Sequence, residues 1–237
     1  MYPSLKKYKG IFLDLDDTLY EYAPCNTAGN AAVVTFLAER LGADQEKVLQ
    51  SFTTARQQVK DNLLSAVGFE TAAAHSRLLY GQRLIEHLTG QSQPALTTET
   101  ADIFWSAYFK VMTLFPAARE FLELAKRRGK TLAIVTDLEH RVQLDKLLRL
   151  GIADLIDIVV SSEEAGRDKP HPAALLLALQ KTGLQPDEVV YIGESEAKDV
   201  AGAQAAGITP ILIHYPPTDD QTIAVAHFKA LTALVLP

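Results

Sequence analysis

The chain reads as an α/β protein, a Rossmann-like parallel sheet core with an inserted all-helical domain. Three observations predict this. Short apolar runs recur through the second half, each closed by polar residues and followed by a helical pattern, which is the rhythm of βαβ units. A similar run stands alone near the start, at residues 10–15. Between it and the repeating half, residues 21–110 carry helical patterns and no convincing strand. The 237 residues, 48% of them hydrophobic, suffice for one large core or a core with a smaller satellite. The expected division is therefore a core from residues 1–20 and 111–237, interrupted by a helical insert at 21–110.

The first strand lies in Gly10-Ile-Phe-Leu-Asp-Leu-Asp-Asp-Thr-Leu19. An apolar run leading into acids suits a buried parallel strand whose carboxyl end opens into a site. Alternate residues of a strand face the same way, so Asp14 and Asp16 are expected to address one ligand while Asp17 turns away and Thr18 begins the exit turn. Such close like charges repel unless a cation or a shared proton relieves them. Taken alone, the stretch reads equally as a strand end with an Asp-rich turn.

Helical periodicity follows at 31–40, then near 46–66, 72–89 and 98–112, punctuated by Gly42, Gly68 and the stretch 90–94. Trp105, Tyr108 and Phe109 have the spacing of packing residues on the last of these. Pro116 is placed to open a helix ending at Arg128, with Gly129 after it, and the helices before Gly151, Gly183 and Gly207 are expected to end likewise. Strands near 131–136, 155–160, 188–193 and 208–213 should join 10–15 in one sheet. The tail from Thr222 to Pro237 suits a helix or an edge strand.

Polar residues follow the other apolar runs too. Thr136 ends one and precedes Asp137; Lys169 lies in the loop Gly166-Arg-Asp-Lys-Pro-His-Pro172; Glu194 and Asp199 lie in Gly193-Glu-Ser-Glu-Ala-Lys-Asp199. Alone, Thr136 could cap a helix and Lys169 could be solvated. In a parallel sheet, however, all these positions converge with Asp14 and Asp16 on one edge.

Composition excludes several functions. With a net charge of −6 and no Lys/Arg cluster, the chain is a poor candidate for nucleic acid, and Lys6, Lys7 and Lys9 serve solubility. Cys25 is the only cysteine, so an intrachain disulfide or cysteine metal cluster is impossible; it is either a small buried residue or a thiol near the site. The absence of an apolar span of about 18 residues argues against a membrane protein, and the first residues lack an apolar signal core, which makes the cytoplasm the expected location. The histidines lack metal-ligand spacing, so His171 and His214 receive no role. Glu163, Glu164, Glu196 and Lys198 read as solvated charges.

In their order, these sites resemble the motifs of the haloacid dehalogenase superfamily of hydrolases. Asp14-Leu-Asp16-Asp-Thr18 matches the first motif, Thr136 the second, Lys169-Pro170 the third, and Gly193-Glu194 with Asp199 the fourth. The family usually has Asp where this chain has Glu194. The resemblance implies that 21–110 is a cap domain of the kind inserted after the first motif, closing over a small substrate. Tyr20, Glu21, Tyr22 and Asn26 would line that enclosure or simply link the domains. It further implies that Mg2+ is held by Asp14, Glu194, Asp199 and the backbone carbonyl of Asp16, with Asp199 acting through a water. Asp14 would be the nucleophile that forms an aspartyl-phosphate, and Asp16 the acid and base. Thr136 and Lys169 would stabilise the phosphoryl group. The expected activity is a Mg2+-dependent phosphatase for a small phosphorylated metabolite. A phosphomutase uses the same aspartate. A dehalogenase is disfavoured, because family members of that kind lack an acid at the position of Asp16. A binding or regulatory protein without turnover stays open because of Glu194. Neither the physiological substrate nor the oligomeric state is written in the sequence.

Overall fold

A computed structural model describes residues 4–213 and 227–235. The chain forms two compact units, one from residues 1–21 and 113–237, the other from 22–112.

The first unit is built on a five-stranded sheet of β1 (Gly10–Leu13), β2 (Thr131–Thr136), β3 (Ile158–Ser161), β4 (Val189–Gly193) and β5 (Thr209–Leu212). The order is β3-β2-β1-β4-β5, and every pairing is parallel. Parallel sheets are covered on both faces, which is why β1 and β4 are buried throughout. On one face Phe12, Val135, Val160 and Tyr191 pack with Leu175 and Ala178. Because β1 has β2 on one side and β4 on the other, the chain order reverses at β1. Crevices that hold ligands form at such reversals, beyond the carboxyl ends of the strands.

Two strand boundaries differ from the sequence expectation by more than one residue. β1 stops at Leu13, so Asp14 lies just past it, its N–H still donating to the Ile192 carbonyl at 2.9 Å. The chain then turns, with Asp17 in the left-handed region at φ 58°. The facing of Asp14 and Asp16 is thus set by this turn and not by strand alternation. β3 begins at Ile158, later than the expected 155, because Ala153–Leu155 is a 3-10 turn. Asp157 next to it anchors the strand start, accepting from the Leu132 N–H at 2.8 Å and from Lys126 at 2.5 Å.

Helices α5 (Ala118–Arg127), α6 (His140–Arg149), α7 (Ser162–Ala165), α8 (Ala173–Thr182), α9 (Ala201–Ala205) and α10 (Phe228–Val235) complete this unit, and a π-helical turn at Glu196–Val200 leads into α9. Pro116 precedes α5 by one residue in the left-handed region, Ala117 at φ 63°. The described part of the tail is helical, α10 setting Phe228 against Phe121 with ring centroids 5.4 Å apart. His214 lies outside the described residues.

The second unit is helical: α1 (Tyr22–Leu41), α2 (Gln45–Val67), a 3-10 turn at Ala72–His75, α3 (Arg77–Thr89) and α4 (Pro94–Val111). A side chain at Gly29 would lie 2.6 Å from the Phe104 ring, so glycine is what allows α1 and α4 to approach there. Trp105, Tyr108 and Phe109 form an aromatic cluster on α4, as their spacing predicts, and Phe104 joins them. Buried Arg77 stacks on Phe104 and donates to Tyr22 and Asn26. Cys25 is buried. Among the described residues, no helix is long and apolar enough to cross a membrane.

Candidate active site

Asp14 is buried at the end of the central strand, 5% exposed. Its Oδ1 accepts from the Lys169 ammonium at 2.8 Å, and its Oδ2 from the Thr18 hydroxyl at 3.3 Å. Lys169 is 3% exposed and donates also to Asp199 Oδ1 at 2.6 Å and to the Tyr191 hydroxyl at 2.9 Å. Its backbone N–H donates to Asp137 Oδ1 at 3.0 Å, which ties the third loop to the end of β2. A buried lysine is costly unless paired, and here two carboxylates surround it.

Asp199 fixes the turn after β4. Its Oδ2 accepts from the N–H groups of Glu194 and Ser195 at 3.1 and 2.9 Å, while Oδ1 accepts from Lys169 and Tyr191. Gly193 permits this wrapping, since a Cβ there would stand 2.4 Å from the Asp199 side chain. The Glu194 side chain is half-buried.

Asp16 faces a different set of partners. Lys146 on α6 donates to both its oxygens at 2.6 and 2.8 Å, Tyr20 donates to Oδ1, and Gln143 to Oδ2 at 3.3 Å. Gln143 donates as well to Thr136 Oγ1 at 2.8 Å and to the Asp137 carbonyl at 2.5 Å. Thr136 is buried and does not cap α6, whose N-cap is Glu139. The structure therefore links Asp14, Lys169 and Asp199 directly, and Asp16 to Thr136 through Gln143.

Electrostatics separates the two aspartates. Burial pushes the Asp14 carboxyl up to about 8; Lys169 opposes that, and the neighbouring Asp199 and Asp16 carboxylates add to it. Asp16 is also penalised by burial, yet the charge and hydrogen bonds of Lys146, with those of Tyr20 and Gln143, hold it below the usual carboxylate range. Glu194 is raised by burial and by Asp199 and Asp17. Asp199 is held low because Lys169 outweighs the effect of burial.

The donor set is all oxygen, as hard divalent cations require. Asp14 and Glu194 are both carboxyls raised by burial and by adjacent acids, an imbalance that one more positive charge relieves. The residues present thus suit Mg2+. Both Asp199 oxygens are already engaged, which accords with a ligand acting through water.

Tyr191, Gln143 and Lys146 were not singled out in the sequence. Tyr191 sits inside an apolar strand run, where a tyrosine passes as a core residue. The other two had a signal: they occupy the buried phase of α6 with Leu147 and Leu150, while Leu144 and Leu148 are exposed. Tyr20 could line the site or serve as linker by sequence; it is fully buried and bound to Asp16.

A family model for haloacid dehalogenase-like hydrolases matches residues 8–207. The chain is 38% identical over 224 residues to a ribulose-1,5-bisphosphate 5-phosphatase of Halopiger xanaduensis, covering 94% of this chain and 90% of that protein. It is 28% identical to a glyceraldehyde 3-phosphate phosphatase of Methanocaldococcus jannaschii, over 96% of this chain and 95% of the other. Among solved structures, a HAD phosphatase from Thermococcus onnurineus shares the fold with TM-score 0.69 at 21% identity, covering 95% of each chain. With the motif residues gathered at the carboxyl ends of a parallel sheet, these matches establish that the chain belongs to the haloacid dehalogenase-like hydrolase family.

Proposed function

We propose that this protein is a Mg2+-dependent phosphatase acting on a small phosphorylated metabolite through an aspartyl-phosphate on Asp14. The observation that carries this reading is the pairing of a buried Asp14, held by Lys169 at 2.8 Å, with a second acid two positions on that is clamped in its own polar pocket. A dehalogenase needs the first carboxylate and no second acid. The dehalogenases that share this fold do so at 23% identity or below and speak for fold alone.

Asp14, Glu194, Asp199 and the Asp16 carbonyl would hold Mg2+, which when bound neutralises phosphate and carboxylate charge together. An Asp14 oxygen attacks phosphorus, and the bond to the leaving oxygen breaks with its electron pair. Asp16 supplies the proton to that oxygen and, now ionised, takes a proton from the water that attacks phosphorus. In that attack the bond from phosphorus to the Asp14 oxygen breaks, the carboxylate is regenerated and inorganic phosphate leaves. The Lys146 pair favours the ionised form of Asp16 and so suits the second step best. Lys169 and the Thr136 hydroxyl offset the charge of the transferring phosphoryl group. The helical unit enters the chain directly after the first motif and would serve as a cap that sheds water and selects small esters.

The identity to a ribulose-1,5-bisphosphate 5-phosphatase makes sugar phosphates the first substrates to try. Phosphate release should be followed with ribulose 1,5-bisphosphate, glyceraldehyde 3-phosphate, phosphoserine and phosphoglycolate, with Mg2+ and with excess EDTA. Release from at least one ester, abolished by EDTA, is expected. Release from none, or undiminished release in EDTA, overturns the reading.

A further inference from the structure

Helix α6 buries two polar side chains where its apolar stripe should run. Lys146 and Gln143 are each 0% exposed. Burying an ammonium is expensive unless it is paired and hydrogen-bonded, and Lys146 is paired with Asp16, which it grips with distances of 2.6 and 2.8 Å. The Gln143 amide is more telling. Its neighbours Asp16 Oδ2 and the Asp137 carbonyl are both acceptors, so its NH2 must face them. This orientation leaves Gln143 Oε1 buried with no hydrogen-bond partner among the described residues. An orphaned buried acceptor costs stability, whereas a leucine at that position would not. The arrangement therefore sacrifices stability to place donors around Asp16 and Thr136.

We propose that Lys146 and Gln143 are positioning residues for the Asp16 carboxylate, Lys146 fixing its rotamer and Gln143 setting its distance from the Thr136 hydroxyl. This rests on the phosphatase reading above. Asp16 lies after β1, 21% exposed, outside the strands of the sheet and with a local bridge to Tyr20. Lys146 and Gln143 come from the helix that follows β2, so the acid and base of the first motif is registered against the second motif by side chains and not by backbone. Neither residue reaches the reacting atoms in this scheme. They act through Asp16.

The test is a double-mutant cycle. Lys146→Met is expected to lower kcat by about 10²-fold, the scale of loss from a small misplacement of a catalytic group, with KM nearly unchanged. In an Asp16→Asn background the same substitution should cost less than about threefold, because the residue it positions is already disabled. Lys146→Arg, which retains a cation, should restore part of the rate. Equal losses from Lys146→Met in both backgrounds, or a normal rate in the single variant, overturn the proposal while leaving the phosphatase reading intact. If the native protein releases no phosphate from any ester, that reading fails instead. A crystal structure then decides the positioning claim independently of activity: Asp16 should leave its rotamer in Lys146→Met, and an unmoved carboxylate refutes it. Should Lys146→Met fail to fold, Gln143→Met enters the same cycle and the same structural comparison with the same expected outcomes.

Discussion

Asp14 and Asp16 lie two positions apart, yet the protein holds them in opposite electrostatic conditions. Asp14 is raised to about 8 by burial and neighbouring acids, and Asp16 is held low by Lys146. If Asp14 is the nucleophile, Asp14→Asn should abolish phosphate release while the thermal transition persists; turnover at the native rate would remove it from that role. Asp16→Ala should slow hydrolysis by about 10²–10⁴-fold, the usual worth of an acid/base group. Phenolic esters should suffer less than alkyl esters, because their leaving groups need less protonation, and equal slowing would exclude Asp16 as the acid. Glu194 is one methylene longer than the family's usual Asp, and its environment is already rich in acids. Glu194→Gln should raise the Mg2+ concentration for half-maximal rate at least about tenfold, whereas Glu194→Asp should keep measurable activity. An unchanged Mg2+ curve in Glu194→Gln would show that the fourth motif binds metal elsewhere or not at all.

At the level of elements, the turns after the strands do the work of orientation. Gly193 ends β4 where Asp199 folds back over the backbone, leaving no room for a Cβ. Gly193→Ala should therefore displace Asp199 and cost about 1–3 kcal/mol, as overpacking does, seen as a lower melting temperature together with lost activity. An unchanged melting temperature would mean that the turn relaxes freely. Helix α2, in the helical unit, offers a control at a residue outside the motifs: Asp44 caps it, accepting from the N–H groups of Glu46 and Lys47 at 2.9 and 3.1 Å. Asp44→Ala should cost about 1 kcal/mol of stability and leave kcat unchanged.

On the scale of the whole molecule, a helical unit is inserted between β1 and α5 of a five-stranded core, and under the proposed function the core would hold the phosphoryl chemistry and the insert would choose the substrate. Small esters should be turned over much faster than a folded phosphoprotein at equal phosphate concentration. Rapid dephosphorylation of the protein substrate, beside slow turnover of every small ester, would refute a capping role for the insert.

The sequence determined the parallel sheet, the helical insert and the strand-end placement of Asp14, Thr136 and Glu194, because apolar periodicity and glycine punctuation are local signals set by burial and backbone geometry; Lys169 reaches the same edge only after the short helix α7. It also carried the family, through residues kept in fixed order along the chain. The surroundings of Asp16 were decided only by tertiary structure. Lys146 follows Asp16 by 130 positions, and nothing local marks a lysine as the partner of one particular carboxylate. Tyr191 is likewise mute in an apolar strand until Lys169 and Asp199 are folded against it at 2.9 and 3.0 Å. Even the relative facing of Asp14 and Asp16 escaped strand alternation, since β1 ends at Leu13 and the turn that follows answers to side chains brought from α6 and from the loop bearing Lys169. Long-range pairs of this kind are fixed by packing, which no spacing along a single chain records.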